Sequence, residues 1–516
     1  MMLVDLHFVG TITWLLAFSF VPLTAAAQNP VASVLSQAGL GGQNRYVFAH
    51  FIMGIVGNRA SASDYDNDIR LAKSAGIDAF ALNIGTEDST DTQLSYAYAS
   101  AASNNFKVFI SFDFNFWSTS AAADVGAKVA KYASHPGQLK VDGKVFVSSF
   151  VGTGVDVEVV RTTSKTPIFF APNFTPGGPG SFAGLDGAFN WVGWPNNGAN
   201  RAPTAGANFS VADGDQAYIS ALRGKDYIAP VSPWFNTHYG AEVPYSKNWI
   251  FPSEGLYAQR WQEILTLGPR FVEIVTWNDY GESHYVGPLA SPHVDDGNSK
   301  WTKNMPHGGW LQLAIPFIKA FHASKSSPAI STDQLVYWYR PNPLSLDCDA
   351  TDTTMLPADN SSGNYYNGKP NGWETVSDSV FFTTLLTSPA DISVLSGSSA
   401  YHYSAPAGVS TFTVPLSVGK QQFALLRNNK IFQSAVSKRD VTNTCGCGNY
   451  NFNAYVGTVP EGPPDDLLPA GMAVLTNGIR VPAYQCLNEG ASNSSASVRR
   501  RGLRSPLAGW KDYVDS

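Results

Sequence analysis

Over residues 44–330, short apolar runs alternate with stretches whose apolar side chains recur every three or four positions. The runs are 46–53, 77–83, 106–113, 144–151, 166–171, 185–191, 227–232 and 271–277. Continuous runs of this length suit parallel strands covered on both faces. Helical periodicity occupies 64–75, 91–103, 121–134, 213–223, 255–267 and 309–323. In the first of these, Tyr65, Ile69 and Ala72 share a face and Gly76 ends the helix. In the fifth, Tyr257, Trp261, Ile264 and Leu265 fall at i, i+4, i+7 and i+8. The gaps after 151 and 171 carry no clear helical signal. Eight strands alternating with helices predict a (β/α)8 barrel, for which about 250 residues is usual. An open doubly wound sheet is the rival. It would place a G-x-G-x-x-G turn after the first strand, whereas the chain reads Met53-Gly54-Ile55-Val56-Gly57-Asn58.

Beyond residue 330 the period changes. Runs at 334–340, 379–387, 391–395, 410–416, 421–427 and 452–456 are β-rich and separated by turn residues, which predicts a β-sandwich. The division expected is a catalytic barrel at 44–328 and an accessory sandwich at 329–487. Before them, residues 1–27 read as a secretory signal peptide, with an apolar run from Phe8 to Leu23 and Ala25-Ala26-Ala27 as a cleavage site. A membrane anchor is the rival there; Pro22 and the short run argue against it. Residues 28–43 form a lead segment. Residues 488–516 read as a disordered tail, whose last 18 positions carry five Lys/Arg against two Asp/Glu.

Composition narrows the function. Of 516 residues, 44% are hydrophobic and only 14% charged, against a usual charged share of about 25%. That is enough apolar surface for a core, and a net charge of −6 gives no footprint for nucleic acid. No later segment is apolar enough to span a membrane, and a monomer is expected. The four cysteines are Cys348, Cys445, Cys447 and Cys486. A Cys445–Cys447 bridge would close too tight a loop, so Cys348 should pair with one of them and Cys486 with the other. A zinc site is disfavoured because the spacing is unusual and no histidine accompanies it. N-x-[ST] sequons at Asn173, Asn208, Asn360 and Asn493 are candidate glycosylation sites.

In a barrel, chemistry belongs at the C-terminal ends of the strands. There the sequence offers His50; Asn83 and Glu87; Asp113 and Asn115; Asn173; Asn190, Trp191 and Trp194; and Trp234, His238 and Tyr239. The densest cluster follows the eighth strand: Trp277-Asn278-Asp279-Tyr280-Gly281-Glu282-Ser283-His284-Tyr285. Asp279 and Glu282 point to opposite faces of an extended strand and converge only if the chain turns, which Gly281 permits. A carboxyl pair among aromatic rings is what glycoside hydrolysis uses: one acid protonates the leaving oxygen, while one carboxylate activates water or attacks the sugar. Trp277 and Tyr280 are candidates to desolvate the acid. Asp113 is expected to bind a sugar hydroxyl or assist a carboxylate. His50, Asn83, Asn115, Asn278, His238 and His284 are candidate substrate contacts, and Trp194 and Trp234 candidate stacking platforms. No cofactor or metal is expected, since P-loop, H-E-x-x-H and G-x-S-x-G patterns are absent.

The segments Arg45–Gly54, Ala79–Gly85, Ser111–Asp113 and above all Trp277–Tyr285 resemble glycoside hydrolase family 71, the fungal α-1,3-glucanases or mutanases. The resemblance runs over roughly 44–486. It implies a secreted endo-acting enzyme that cleaves α-1,3-glucan, its polysaccharide partner, with inversion. It also implies that the W-N-D-Y-x-E motif supplies the catalytic carboxylates, here Asp279 and Glu282. Glu282 is read as the acid and Asp279 as the base, with the reverse order open. A glucan-binding protein without activity and a cell-wall transglycosylase are the alternatives.

Overall fold

The computed structural model describes residues 44–177, 182–198, 201–239, 247–352 and 368–472. The proposed signal peptide, lead and basic tail lie outside these residues, as do Asn360, Asn493 and Cys486. Among the described residues, eight parallel strands form one curled sheet: β1 (Tyr46–Ile52), β2 (Ala79–Ile84), β3 (Lys107–Asp113), β4 (Lys144–Phe150), β5 (Ile168–Phe170), β6 (Gly187–Phe189), β7 (Asp226–Val231) and β8 (Phe271–Ile274). Their order is β5-β4-β3-β2-β1-β8-β7-β6, and a short strand, Lys140–Val141, pairs antiparallel with β4. The two ends of the sheet approach each other, with the Asp186 and Phe189 amides donating to the Phe170 and Pro172 carbonyls at 3.0 and 2.9 Å. All eight strands coincide with the apolar runs.

Around the sheet lie α1 (Asp66–Ala75), α2 (Thr90–Ser103), α3 (Ala122–Tyr132), α4 (Val157–Ser164), α5 (Val211–Leu222), α6 (Leu256–Leu267) and α7 (Gly308–His322). Gly76 and Gly268 end α1 and α6 in the left-handed conformation, at φ 91° and 63°, as the sequence requires. The Ser210 hydroxyl and Asp213 form a reciprocal cap at the start of α5. α4 fills the first gap that lacked a clear signal. Only eight residues long, it is fixed by Asp156, whose carboxylate accepts from the Glu158 and Val159 amides.

The inside of the curl is packed. Phe48, Phe109, Phe146, Phe169 and Phe271 meet with ring centroids 4.7–5.7 Å apart. Strand period two then sets what stands above this aromatic floor. His50 follows Phe48 and Glu273 follows Phe271; both are fully buried and joined, His50 Nδ1 to Glu273 Oε1, at 2.7 Å. Ser111 and then Asp113 follow Phe109, and Asn83 ends the same face of β2.

Beyond residue 330 the strands are β9 (Gln334–Tyr339), β10 (Ser379–Leu386), β11 (Ala390–Ser396), β12 (Ser399–Ala405), β13 (Gly408–Pro415), β14 (Gln421–Arg427), β15 (Lys430–Val436) and β16 (Tyr455–Val459). They form two antiparallel sheets, ordered β13-β10-β9-β16 and β12-β11-β14-β15. Side chains of both, among them Tyr337, Phe382, Val394 and Phe423, share one buried cluster. The sequence reading missed β12 and β15, outer strands whose alternate residues face solvent. A Cys348–Cys445 disulfide, with Cα atoms 5.7 Å apart, pins the start of this unit to its end.

Several residues proposed for chemistry hold the fold instead. Trp277 is fully buried on the outer side of the sheet; it packs on Phe80 at 5.0 Å, and its indole donates to Asp68 at 3.0 Å. Asp68 also bonds Arg59 at 2.8 Å and Ser291 at 2.8 Å, a buried cluster that locks α1 to the segment beyond β8. Asp68→Ala leaves the Arg59 guanidinium buried without its counter-ion and should cost about 3–5 kcal/mol of stability, read by urea unfolding.

Candidate active site

After β8 the chain folds back on itself. The Thr276 amide donates to the His284 carbonyl at 3.0 Å and the Val286 amide to the Thr276 carbonyl at 3.0 Å. The excursion between them carries Asp279 and Glu282. The Thr276 hydroxyl accepts from the Asp279 amide at 2.9 Å, and Asp279 Oδ1 accepts from the Glu282 amide at 3.0 Å. One oxygen of each carboxyl and one nitrogen of His284 lie within 4.8 Å of one another. The two acidic side chains are 21% and 17% exposed, so the group opens to solvent. Gly281 serves this turn differently from the expectation. Its φ is not left-handed; that conformation falls on Ser283, at 62°. A Cβ on Gly281 would instead stand 2.1 Å from the Tyr239 hydroxyl.

Tyr239 belongs to an antiparallel pair, Asn236–Tyr239 with Lys247–Ile250, in which Lys247 stands opposite Tyr239. The Asn236 amide donates to the Glu282 carbonyl at 3.0 Å, which ties the pair to the motif. Lys247 is thereby delivered to the site, and its ammonium contacts Glu282 Oε1. On the other oxygen, His284 Nε2 meets Glu282 Oε2 at 3.0 Å and stands 3.9 Å from Asp279. Sequence reasoning missed Lys247. A lone lysine in a polar stretch carries no signal, and only the strand register places it.

These contacts drive the two carboxyls apart. Burial, followed by the repulsion of Glu282, pushes Asp279 up to about 6. Burial alone would raise Glu282 as well, but Lys247 and His284 together outweigh it and hold Glu282 at about 2. Burial would lower Lys247, yet the charges of Glu282, Asp279 and Asp296 raise it, so it stays a cation. Near pH 5 the site therefore holds a protonated Asp279 beside an ionised Glu282. Asp279, Glu282 and His284 are also the residue types that bind metals. The Lys247 ammonium already supplies Glu282 with the positive charge that an ion would bring.

Other predicted residues sort by depth. Asp113 is 9% exposed and bonded by Asn83, and burial raises its carboxyl above the usual range. His50 lies beneath, fully buried, with its ring edge-on to Trp191 at 4.8 Å. Asn115 is exposed, and its amide donates to Asp113 at 2.9 Å. Trp191 is half-buried and stands 6.2 Å from His284. Trp194 is not a stacking platform: it is buried and backs His284 at 5.3 Å. Trp234 is buried and donates to the Phe452 carbonyl at 3.0 Å, tying the two units together. His238 does the same, held between Asn248 at 2.6 Å and Asp352 at 2.8 Å. Asn278 accepts from the Ile52 amide at 2.7 Å, and Tyr280 is buried with its hydroxyl on the Pro288 carbonyl. The polar atoms of Trp277 and Tyr280 are thus directed at Asp68 and the Pro288 carbonyl. The Asn173 amide is spent on the Phe189 carbonyl and Tyr218 hydroxyl at 2.9 and 3.0 Å, which leaves it no freedom to carry a glycan. Asn208 is exposed.

The sequence model of glycosyl hydrolase family 71 matches residues 43–467. A mutanase of Penicillium rubens is 40% identical over 81% of this chain and 90% of its own length. A glucan endo-1,3-alpha-glucosidase of Schizosaccharomyces pombe is 35% identical over 81% of this chain and 95% of its own. Among solved structures, a GH99 endo-alpha-mannosidase of Bacteroides thetaiotaomicron aligns with a TM-score of 0.37 at 16% identity, over 51% of this chain and 81% of that one. The family match spans most of the sequence and includes the whole excursion after β8: the chain belongs to glycosyl hydrolase family 71.

Proposed function

We propose that this protein is a secreted hydrolase of α-1,3-glucan, acting within the polymer, with Asp279 as proton donor and Glu282 as the ionised carboxylate. The observation that carries the assignment is the cation on Glu282: Lys247 and His284 take up its two oxygens, while Asp279 has no comparable positive partner and keeps its proton. This reverses the order read from the motif alone. The proton of Asp279 goes to the leaving glycosidic oxygen, and Glu282 drives the attack on the anomeric carbon. Asp113, held by Asn83, binds a hydroxyl of the same sugar ring. The scaffold is a closed (β/α)8 barrel followed by a β-sandwich. Export is supported by the apolar N-terminal run and the Cys348–Cys445 bridge.

Stereochemistry has two readings. The family resemblance implies inversion, in which water stands between carboxyls about 6.5–9.5 Å apart. In the alternative, the two carboxyls stand closer, as their oxygens within 4.8 Å of each other allow, Glu282 attacks the sugar and a glycosyl-enzyme forms. The anomer of the first product, read by NMR, separates them, and a retaining outcome makes transglycosylation available.

Asp279→Asn and Glu282→Gln should each lower glucan hydrolysis by at least about a hundredfold with folding intact by circular dichroism. On a glucosyl donor whose leaving group needs no proton, Asp279→Asn should recover activity and Glu282→Gln should not. The opposite pattern would return the acid role to Glu282.

The pH dependence follows from the same pair. Asp279 must hold its proton, so activity falls as pH rises through about 6. Glu282 must have lost its own, so activity falls as pH drops through about 2. Lys247→Met removes the cation that holds Glu282 down. The acidic limb of the kcat/KM profile should then move upward, and an unmoved limb would exclude this role for Lys247.

A further inference from the structure

Phe116 is 61% exposed, the most exposed large apolar side chain among the described residues. It stands in the turn that leaves β3, directly after Asp113, and that turn is tightly held. The Phe116 and Trp117 amides both donate to the Asp113 carbonyl, at 3.0 and 2.9 Å. The Trp117 indole donates to the Gly85 carbonyl at 3.0 Å, and its ring packs edge-on to Phe112 at 5.2 Å. The exposure of Phe116 is therefore a property of an ordered backbone.

The turn is keyed into the loop after β4. The Phe114 amide donates to the Phe150 carbonyl at 3.1 Å. The Phe114 ring lies so close to Gly152 that a Cβ there would stand 2.3 Å from it. Between Phe150 and Gly152, Val151 is 36% exposed and holds φ at 47°, a left-handed conformation that a β-branched residue rarely adopts. Two bonds keep it there: its amide donates to Asn173 at 3.3 Å, and its carbonyl accepts from Ser149 at 2.7 Å. Strain held in this way at the mouth of a site calls for a functional reason. Phe150 in turn meets Trp191 edge-on at 4.6 Å, and Trp191 reaches His284 at 6.2 Å. A line of rings thus runs from His284 through Trp191 to Phe150, and the turn that carries Phe116 is bonded to the end of that line.

We infer that this rim is a distal glucan subsite, in which Phe116 stacks on a glucosyl ring several units from the bond that is cut. This rests on the reading of the pair as a glucan-cleaving site and extends it. The occupant is a sugar chain because the turn is bonded to Asp113, at the same strand ends that lead to the pair, and the faces of a pyranose ring present C–H groups to aromatic surfaces.

The test is Phe116→Ala, assayed on α-1,3-gluco-oligosaccharides of increasing length and on the polymer. Hydrolysis of the shortest cleavable oligomers should be unchanged, while KM for long chains rises about three- to tenfold. Phe116→Trp should restore it. Phe432→Ala, at a 37% exposed ring on β15, should change nothing at any length. Equal kinetics of Phe116→Ala and the parent protein at every length would overturn the subsite. So would an effect of Phe116→Ala confined to self-association in sedimentation, which would mark Phe116 as a protein contact. Failure of the parent protein to cut any α-1,3-glucan would instead overturn the underlying functional reading.

Discussion

Two carboxyl groups with oxygens less than 5 Å apart, in a partly closed hollow, cannot both be ionised without a counter-charge. The structure answers with one cation and one imidazole, both directed at Glu282. Asp279 receives the repulsion and the burial with weaker compensation from the same two groups. The difference between two chemically similar side chains is thus made by His284 and by a residue outside the motif, Lys247. It lies 32 positions from Asp279 in the sequence and arrives by the register of a short antiparallel pair. The fold around the site can be understood as what keeps that pair in place.

Three ties do so. The Asn236 amide holds the Glu282 carbonyl, Trp234 is anchored on the Phe452 carbonyl, and His238 is clamped between Asn248 and Asp352. The last two reach residues beyond 330, so the antiparallel unit braces the arm that carries Lys247. Buried polar side chains gather at this junction, where Trp234 and His238 reach across to the Phe452 carbonyl and the Asp352 carboxylate.

The fold was largely legible in the sequence because it rests on local periodicity. Each parallel strand is an apolar run, and the helices end where Gly76 and Gly268 place them. The misses have physical causes. α4 is too short to show a period, and β12 and β15 are outer strands with one wet face. At the site, the motif identified Asp279, Glu282 and His284, and strand ends identified Asp113 and Asn83. Sequence could not reveal Lys247, because its significance is a cross-strand neighbour. Nor could it show that Trp234 and His238 face away, since the side of a strand on which a loop residue lands is a tertiary property.

The motif also shows how specificity of sequence and of chemistry part company. Within Trp277–Tyr285 only three side chains meet at the mouth. Trp277 faces Asp68 on the helical side, Asn278 caps the end of β1 at Ile52, and Tyr280 stacks on His293 at 4.2 Å. Gly281 leaves room for the Tyr239 hydroxyl. Such a segment admits few substitutions because it is gripped on every side. The grip fixes the direction of Asp279 and Glu282 to within what a hydrogen-bonded turn allows, which proton transfer to a glycosidic oxygen demands. A sequence can therefore be recognised through residues buried away from the mouth, while Lys247, which joins His284 in setting the protonation of the pair, lies outside the motif altogether.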